Sequence, residues 1–134
     1  MSPILSPAPL TEVVVCTTCR PPGAPRDLPA AGERLLEAVH AAQSEDEAGA
    51  YARVKVRGVE CMSGCDRACT VAFQAPGKHG YLFGDLASDA ATAAAVLACA
   101  ALHVRSADGL LARGERPERL RSGILARLPP AGLP

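Results

Sequence analysis

The chain is poor in aromatic residues and has no net charge. Its 134 residues include no Trp, two Phe and two Tyr, so the core must be built from Val, Leu, Ile and Ala. This length allows one domain with one core. The 14 basic residues balance the 14 acidic ones. Proteins that bind phosphate backbones usually carry a basic surplus, so the balance argues against nucleic acid as a partner.

Two further absences bear on where the protein works. The sequence has no apolar run of about 18 residues or more, so we predict no membrane span and no membrane partner. Residues 1–10 lack the basic start and long apolar stretch of a signal peptide. We therefore expect a cytoplasmic protein. In a reducing compartment, six cysteines indicate metal or redox chemistry rather than a disulfide framework.

The hydrophobic pattern predicts an α/β fold with a small mixed sheet, in the order strand, helix, strand, hairpin, helix. The predicted strands are 11–16, 53–59, 70–75 and 81–84, and the predicted helices are 29–43 and 88–104, the second capped by Ser88.

Three segments of different character organise the chain. Residues 1–10, with three Pro, predict a flexible leader, and residues 11–104 form the predicted domain. Residues 105–134 hold six Arg against three acidic residues, and we expect them to form a basic C-terminal arm packed on the domain. Within the arm, Pro117 favours the start of a short helix that Pro129 and Pro130 would end.

Four cysteines follow the two strands of the predicted strand–helix–strand unit. Cys16 and Cys19 leave the first strand, and Cys61 and Cys65 leave the second. Such units are right-handed parallel crossovers, so both loops should lie at the same edge of the sheet. Each pair can direct two thiolates to one centre, and four thiolates are the usual ligand set of an iron–sulfur cluster. The spacing therefore predicts a metal centre at this edge.

The remaining titratable residues have simpler interpretations. Cys99 lies in an apolar helix and is interpreted as a buried structural thiol. The three histidines, His40, His79 and His103, are scattered and are interpreted as solvated or packed side chains. Asp66 and Arg67, inside the second cysteine loop, could tune a cluster, contact a partner or form an exposed ion pair.

Three stretches carry a resemblance to a known family: VVVCTTCRPPG, GVECMSGCDRACTVAFQAPGKHGYLFGDL and RPERLRSGILARLPP. They resemble the thioredoxin-like 2Fe–2S ferredoxins and, more closely, related bacterial proteins described only as predicted metal-binding. The resemblance covers most of residues 11–130. It implies a thioredoxin-like fold, a 2Fe–2S cluster held by cysteines from two loops, and one-electron transfer to a redox partner protein. Such a protein is an electron carrier or accessory protein rather than an enzyme.

The resemblance assigns some ligands and leaves one open. The family's Cys-x-x-x-Cys before a strand matches Cys61 and Cys65, whereas its first-loop cysteines are usually more widely spaced than Cys16 and Cys19. We predict that iron is held by Cys16, Cys19, Cys61 and Cys65, because Cys-x-x-Cys is a common metal-binding arrangement. Cys69 falls where thioredoxin-like folds commonly have a cis-proline facing the redox site. It is the alternative fourth ligand, or a neighbour of the cluster.

Two other functions fit the same cysteines. Cys16 and Cys19 could form the active site of a thioredoxin-like thiol–disulfide oxidoreductase, which would leave Cys61 and Cys65 without a role. Four thiolates also suit zinc, in a binding module or a metal chaperone. A homodimer is a further candidate assembly.

Overall fold

The computed structural model describes residues 10–132, so the predicted leader, apart from Leu10, lies outside the described residues. These residues form five strands and two helices: β1 (Thr11–Cys16), α1 (Ala31–Ser44), β2 (Val54–Val59), β3 (Val71–Gln74), β4 (Gly80–Phe83), α2 (Ala90–Arg105) and β5 (Ile124–Leu128). Three single 3-10 turns lie at Cys65–Arg67, Arg113–Glu115 and Glu118–Leu120.

The strands form one mixed sheet in the order β2-β1-β3-β4-β5. Strand β1 pairs in parallel with β2, which follows it through α1, and the other neighbours are antiparallel. Strands β3 and β4 form the predicted hairpin. The predicted α/β fold is therefore confirmed, including the parallel crossover that places the ends of β1 and β2 side by side.

Both helices pack on the same face of the sheet. They contact each other and strand β1, whose Val13 and Val15 are fully buried. The largest buried side chains are Phe73, Phe83 and Leu35, with no tryptophan among them. Glu12, on the other face of β1, accepts hydrogen bonds from Arg57 and Gln74. The core therefore lies between the helices and one face of the sheet, and both phenylalanines join the aliphatic side chains expected from the composition.

The segment after α2 differs from its sequence-based prediction. The helix expected after Pro117 is reduced to the turn Glu118–Leu120, and residues 124–128 instead form β5 against β4. Gly123 adopts a φ of 82°, which ends the turn and redirects the chain into the strand. Leu120 is fully buried, so the turn is anchored in the core. Pairing with a sheet edge thus outweighs the weak helical pattern of this segment.

Helix α2 begins at Ala90, two residues after the predicted start at residue 88. Its cap is Asp89 rather than Ser88, because the Asp89 carboxylate accepts a hydrogen bond of 2.7 Å from the backbone N–H of Thr92. Among residues 10–132, no helix has the length and apolar character needed to cross a membrane.

His103 is the packed histidine of the chain and ties α2 to the sheet. Its Nε2–H donates to the carbonyl of His79 at 2.7 Å, so its Nδ1 accepts from the Thr11 hydroxyl at 2.7 Å. Burial lowers the pKa of His103 below its ordinary value of 6.5; the nearby Lys78 lowers it further, and the bond to His79 partly opposes both. The folded chain therefore favours neutral His103.

This network predicts a loss of stability in mild acid. Because the folded-state pKa is the lower one, the unfolded chain binds more protons below about pH 6.5, and the free energy of unfolding falls as the pH falls towards the folded-state pKa. Urea unfolding at about pH 7.5 and about pH 5.5 measures this loss. The His103→Gln variant should be less stable but should lack this part of the pH dependence. An identical pH dependence in both proteins would show that His103 does not contribute.

Candidate metal centre

The two cysteine loops leave the sheet side by side. Cys16, the last residue of β1, is in register with Val59, the last residue of β2. The backbone N–H of Thr17 donates to the carbonyl of Val59 at 2.8 Å, and the Cys16 Sγ lies 3.6 Å from the carbonyl oxygen of Glu60. The parallel register therefore brings the start of the second cysteine loop against the first thiol, as the topology predicts.

Cys16 and Cys19 form a buried pair, exposed by only 1% and 3%. Burial acts to raise the pKa of Cys16, but hydrogen bonds from Cys19, from Thr18 and from the backbone N–H of Met62 lower it overall. Burial and the adjacent Cys16 raise the pKa of Cys19. The sulfur of Cys16 therefore carries a negative charge more readily than the sulfur of Cys19.

The first turn of α1 supports this buried pair. The backbone N–H of Gly32 donates to the carbonyl of Cys19 at 3.0 Å. A Cβ atom at Gly32 would overlap the carbonyl oxygen of Cys16 and lie 3.2 Å from the backbone nitrogen of Cys19. The position therefore requires glycine, because the helix approaches the cysteine loop more closely than any side chain would allow. The positive end of the α1 dipole lies at this loop and favours anionic sulfur.

Cys61 and Cys65 form an exposed pair. Their sulfur atoms are 3.9 Å apart, and the backbone N–H of Ser63 donates to the Cys61 Sγ at 3.2 Å. Two thiolates on one tetrahedral metal ion, with bonds of about 2.3 Å, lie about 3.8 Å apart. The hydrogen bond with Cys61 raises the pKa of Cys65, as expected when a second negative charge would have to form beside the first.

The two pairs face a common region. Cys19 and Cys65 line one groove together with Thr17, Thr18 and Arg20. The charge of Cys16 acts on Cys65 and raises its pKa further. The four cysteines predicted as ligands thus lie as two pairs at one edge of the sheet, one pair buried and one exposed. Among the residues that the structure describes, no three His, Cys, Asp or Glu side chains are grouped as a site for a single metal ion.

Cys69 lies near the buried pair. It is fully buried, and burial, followed by the nearby Cys19 and Cys16, raises its pKa to about 11. The peptide bond between Ala68 and Cys69 is cis. Two backbone hydrogen bonds with Leu86, of 3.2 and 3.1 Å, hold Cys69 in place. The fold therefore places five thiols in one region.

The sixth cysteine is separate from this region. Cys99 is fully buried in α2, where burial raises its pKa to about 12. Its interpretation as a structural thiol agrees with this environment.

Two threonines belong to the site but were not identified from the sequence. The Thr70 hydroxyl lies 3.6 Å from the Cys19 Sγ, and the Thr18 hydroxyl lies 3.9 Å from the Cys16 Sγ while donating to the carbonyl of Glu60. Hydroxyl donors near a thiolate stabilise its charge. Thr18 lies between the two cysteines in the sequence, so its place in the site could have been predicted. Thr70 comes close to Cys19 only because β1 pairs with β3 in this register.

The comparison with protein families identifies the family. The model of the family described as "Protein of unknown function (DUF1636)" matches residues 13–130. The chain belongs to this family. No curated protein matches the chain.

Solved structures similar to this DUF1636 protein are ferredoxins. One is a thioredoxin-like [2Fe-2S] ferredoxin from Aquifex aeolicus, with 18% identity and a TM-score of 0.54, covering 94% of this chain and 99% of that one. A crystal structure of the wild-type thioredoxin-like [2Fe-2S] ferredoxin from the same organism gives 21% identity and a TM-score of 0.52, covering 89% and 99%. These likenesses confirm the thioredoxin-like fold, and both comparisons agree with the resemblance seen in the sequence.

The fourth ligand can be identified by separate substitutions of Cys19 and Cys69. If Cys19 binds iron, Cys19→Ser should lose the cluster or change its visible spectrum. Cys69→Ser should keep the cluster and change only its potential or lifetime, because it would act through its neighbours. The reverse pattern would identify Cys69 as the ligand. If both single variants keep a normal cluster, the double variant decides, and an unchanged cluster there would overturn the assignment of ligands to two loops.

Proposed function

We propose that this DUF1636 protein binds one 2Fe–2S cluster through Cys16, Cys19, Cys61 and Cys65 and carries single electrons. The observation that supports the proposal best is the arrangement of the four thiols as two pairs at one sheet edge. A 2Fe–2S cluster takes two protein thiolates at each of its two irons, so two pairs are the set it needs. The solved ferredoxins with the same fold support the same cofactor.

The residues around the thiols fit an anionic cluster. When bound, the cluster supplies reversible one-electron reduction. The Thr70 hydroxyl can donate to the Cys19 sulfur of the buried pair. The backbone N–H of Ser63 donates to Cys61, and the start of α1 presents its positive dipole end. Donors of this kind stabilise negative charge on the ligand sulfurs and help to set the reduction potential.

The difference in burial between the pairs suggests how an electron would leave. Cys16 and Cys19 are buried, whereas Cys61 and Cys65 are exposed. A redox partner protein would therefore dock at the second cysteine loop, where the shortest path to the cluster begins. The chain would work as a carrier or accessory protein and not as an enzyme. The six free thiols suit a reducing cytoplasm.

A thiol–disulfide oxidoreductase is the second candidate. The opposite pKa shifts of Cys16 and Cys19 favour it, since such enzymes pair an activated thiol with a less acidic one. Against it, both sulfurs are almost fully buried, so a protein disulfide would have little access to either. The exposed Cys61 and Cys65 would again have no role.

A reductive titration distinguishes these functions. Anaerobically purified protein should be red-brown, and its visible absorption should bleach with one electron for every two irons. An oxidoreductase should instead be colourless and take up two electrons on reduction of a disulfide. A colourless protein with a two-electron titration would contradict the proposed carrier function.

A further inference from the structure

The second cysteine loop is attached to the segment that follows β4. Backbone hydrogen bonds join Cys69 to Leu86 in both directions, and the backbone N–H of Asp85 donates to the carbonyl of Arg67 at 2.6 Å. The exposed part of the loop, with Cys61 and Cys65, has no regular structure apart from the single turn Cys65–Arg67. The contacts of Arg67 therefore contribute to the orientation of this turn.

Arg67 is held by a bidentate ion pair. Its Nε lies 2.9 Å from both carboxylate oxygens of Asp85, and its Nη2 contacts Oδ2. Asp85 has a φ of 60°, in the left-handed region that non-glycine residues seldom adopt. A bidentate pair fixes the orientation of the guanidinium as well as its distance, which a lysine could not reproduce.

The segment behind this pair is itself fixed to the sheet. The backbone N–H of Gly84 donates to the carbonyl of Gly123 at 2.8 Å, just before β5. A Cβ atom at Gly84 would lie 2.8 Å from the carbonyl oxygen of Arg67 and 2.8 Å from the Leu125 side chain. The C-terminal segment, the residues after β4 and the cysteine loop are therefore in close contact.

We propose that Arg67 and Asp85 are positioning residues that orient the second cysteine pair for cluster binding. The inference rests on the proposed function. Arg67 lies in the same turn as Cys65, so the ion pair fixes the direction in which this part of the loop presents its thiol. Half of each side chain is exposed, and exposed ion pairs add little to the stability of a whole protein. The effect of the pair is therefore local to the loop.

The test compares Arg67→Ala, Asp85→Asn and the double variant with the wild type. Asn is chosen because it tolerates a positive φ. The rate of cluster loss to an iron chelator should rise about tenfold in each single variant, the size typical for residues that orient metal ligands. Because the two residues act as one pair, the double variant should lose its cluster no faster than either single variant. The midpoint of global unfolding should not change.

Arg57→Ala provides a matched control. It removes another arginine–carboxylate contact, of 2.9 Å, between the exposed Arg57 on β2 and the partly buried Glu12 near the start of β1. This variant should lose its cluster at the wild-type rate. A rate within twofold of wild type for Arg67→Ala and Asp85→Asn would overturn the inference. A comparable acceleration in Arg57→Ala, or effects that multiply in the double variant, would also overturn it.

Hydrogen exchange in cluster-free protein separates this inference from the proposed function. Amides of residues 61–67 should exchange faster in Arg67→Ala than in wild type, whether or not a cluster ever binds. Unchanged exchange would contradict the positioning role. A wild-type protein that binds no cluster, but whose loop exchange still responds to Arg67→Ala, would contradict only the proposed function.

Discussion

Replacing Cys61 or Cys65 with Ser is expected to abolish stable cluster assembly. Their sulfurs are 3.9 Å apart, as two thiolates on one iron would be, so each variant leaves that iron with one protein thiolate. A serine hydroxyl is a hard and weakly acidic replacement that iron in a sulfide cluster binds poorly. Visible absorption and iron content, measured after anaerobic purification, should fall at least about tenfold. Cys16→Ser should behave similarly.

Cys99→Ala is the control for these variants. Cys99 is fully buried in α2, so its replacement should keep the full cluster and lower the free energy of unfolding by at most about 1–2 kcal/mol. A cluster that persists unchanged in Cys61→Ser or Cys65→Ser would contradict the assignment. Loss of the cluster in folded Cys99→Ala would show that the wrong cysteines had been chosen.

Gly32→Ala should have the largest effect on the fold. The added methyl group would overlap the carbonyl oxygen of Cys16, a backbone atom that cannot turn aside. Helix α1 must then move away from the first cysteine loop. Overpacking of this kind costs about 1–3 kcal/mol, and here the clash exceeds the gain of up to about 1 kcal/mol from replacing a helical Gly by Ala. We expect a net loss of about 1–2 kcal/mol, measured by urea unfolding of cluster-free protein, together with weaker cluster binding.

Gly114→Ala is the matched control for the glycine variant. A Cβ atom at Gly114 would meet nothing within 4 Å, and the residue lies far along the chain from both cysteine loops. Its stability should match that of the wild type. If Gly32→Ala proved as stable as Gly114→Ala and bound a full cluster, this would contradict the claim that the close approach of α1 to the cysteine loop requires glycine at position 32.

The sequence contained enough information for the fold and for the meeting of the cysteine loops. Alternating and helical hydrophobic patterns are local signals, and they placed β1, α1, β2 and the hairpin within a few residues. The shared direction of the two parallel strands then brought Cys16 and Cys61 to one edge without any coordinates. Topology is a strong constraint, so this part of the site was predictable.

Long-range packing set the limits of prediction. Residues 124–128 form β5 because an edge of β4 was free, which no local pattern reveals. The partner of Arg67 proved to be Asp85, 18 residues away, and the adjacent Asp66 plays no part in the pair. The close approach at Gly32 was likewise invisible in the sequence. The choice between Cys19 and Cys69 stays a prediction, because both lie beside Cys16.

The most direct test of the central claim is the metal and sulfide content of anaerobically purified wild-type protein from iron-replete cells. Two pairs of thiolates around one 2Fe–2S cluster predict about two irons and two acid-labile sulfides per chain, with visible absorption to match. Stoichiometric zinc without sulfide would contradict the account and would make the chain a zinc-binding protein.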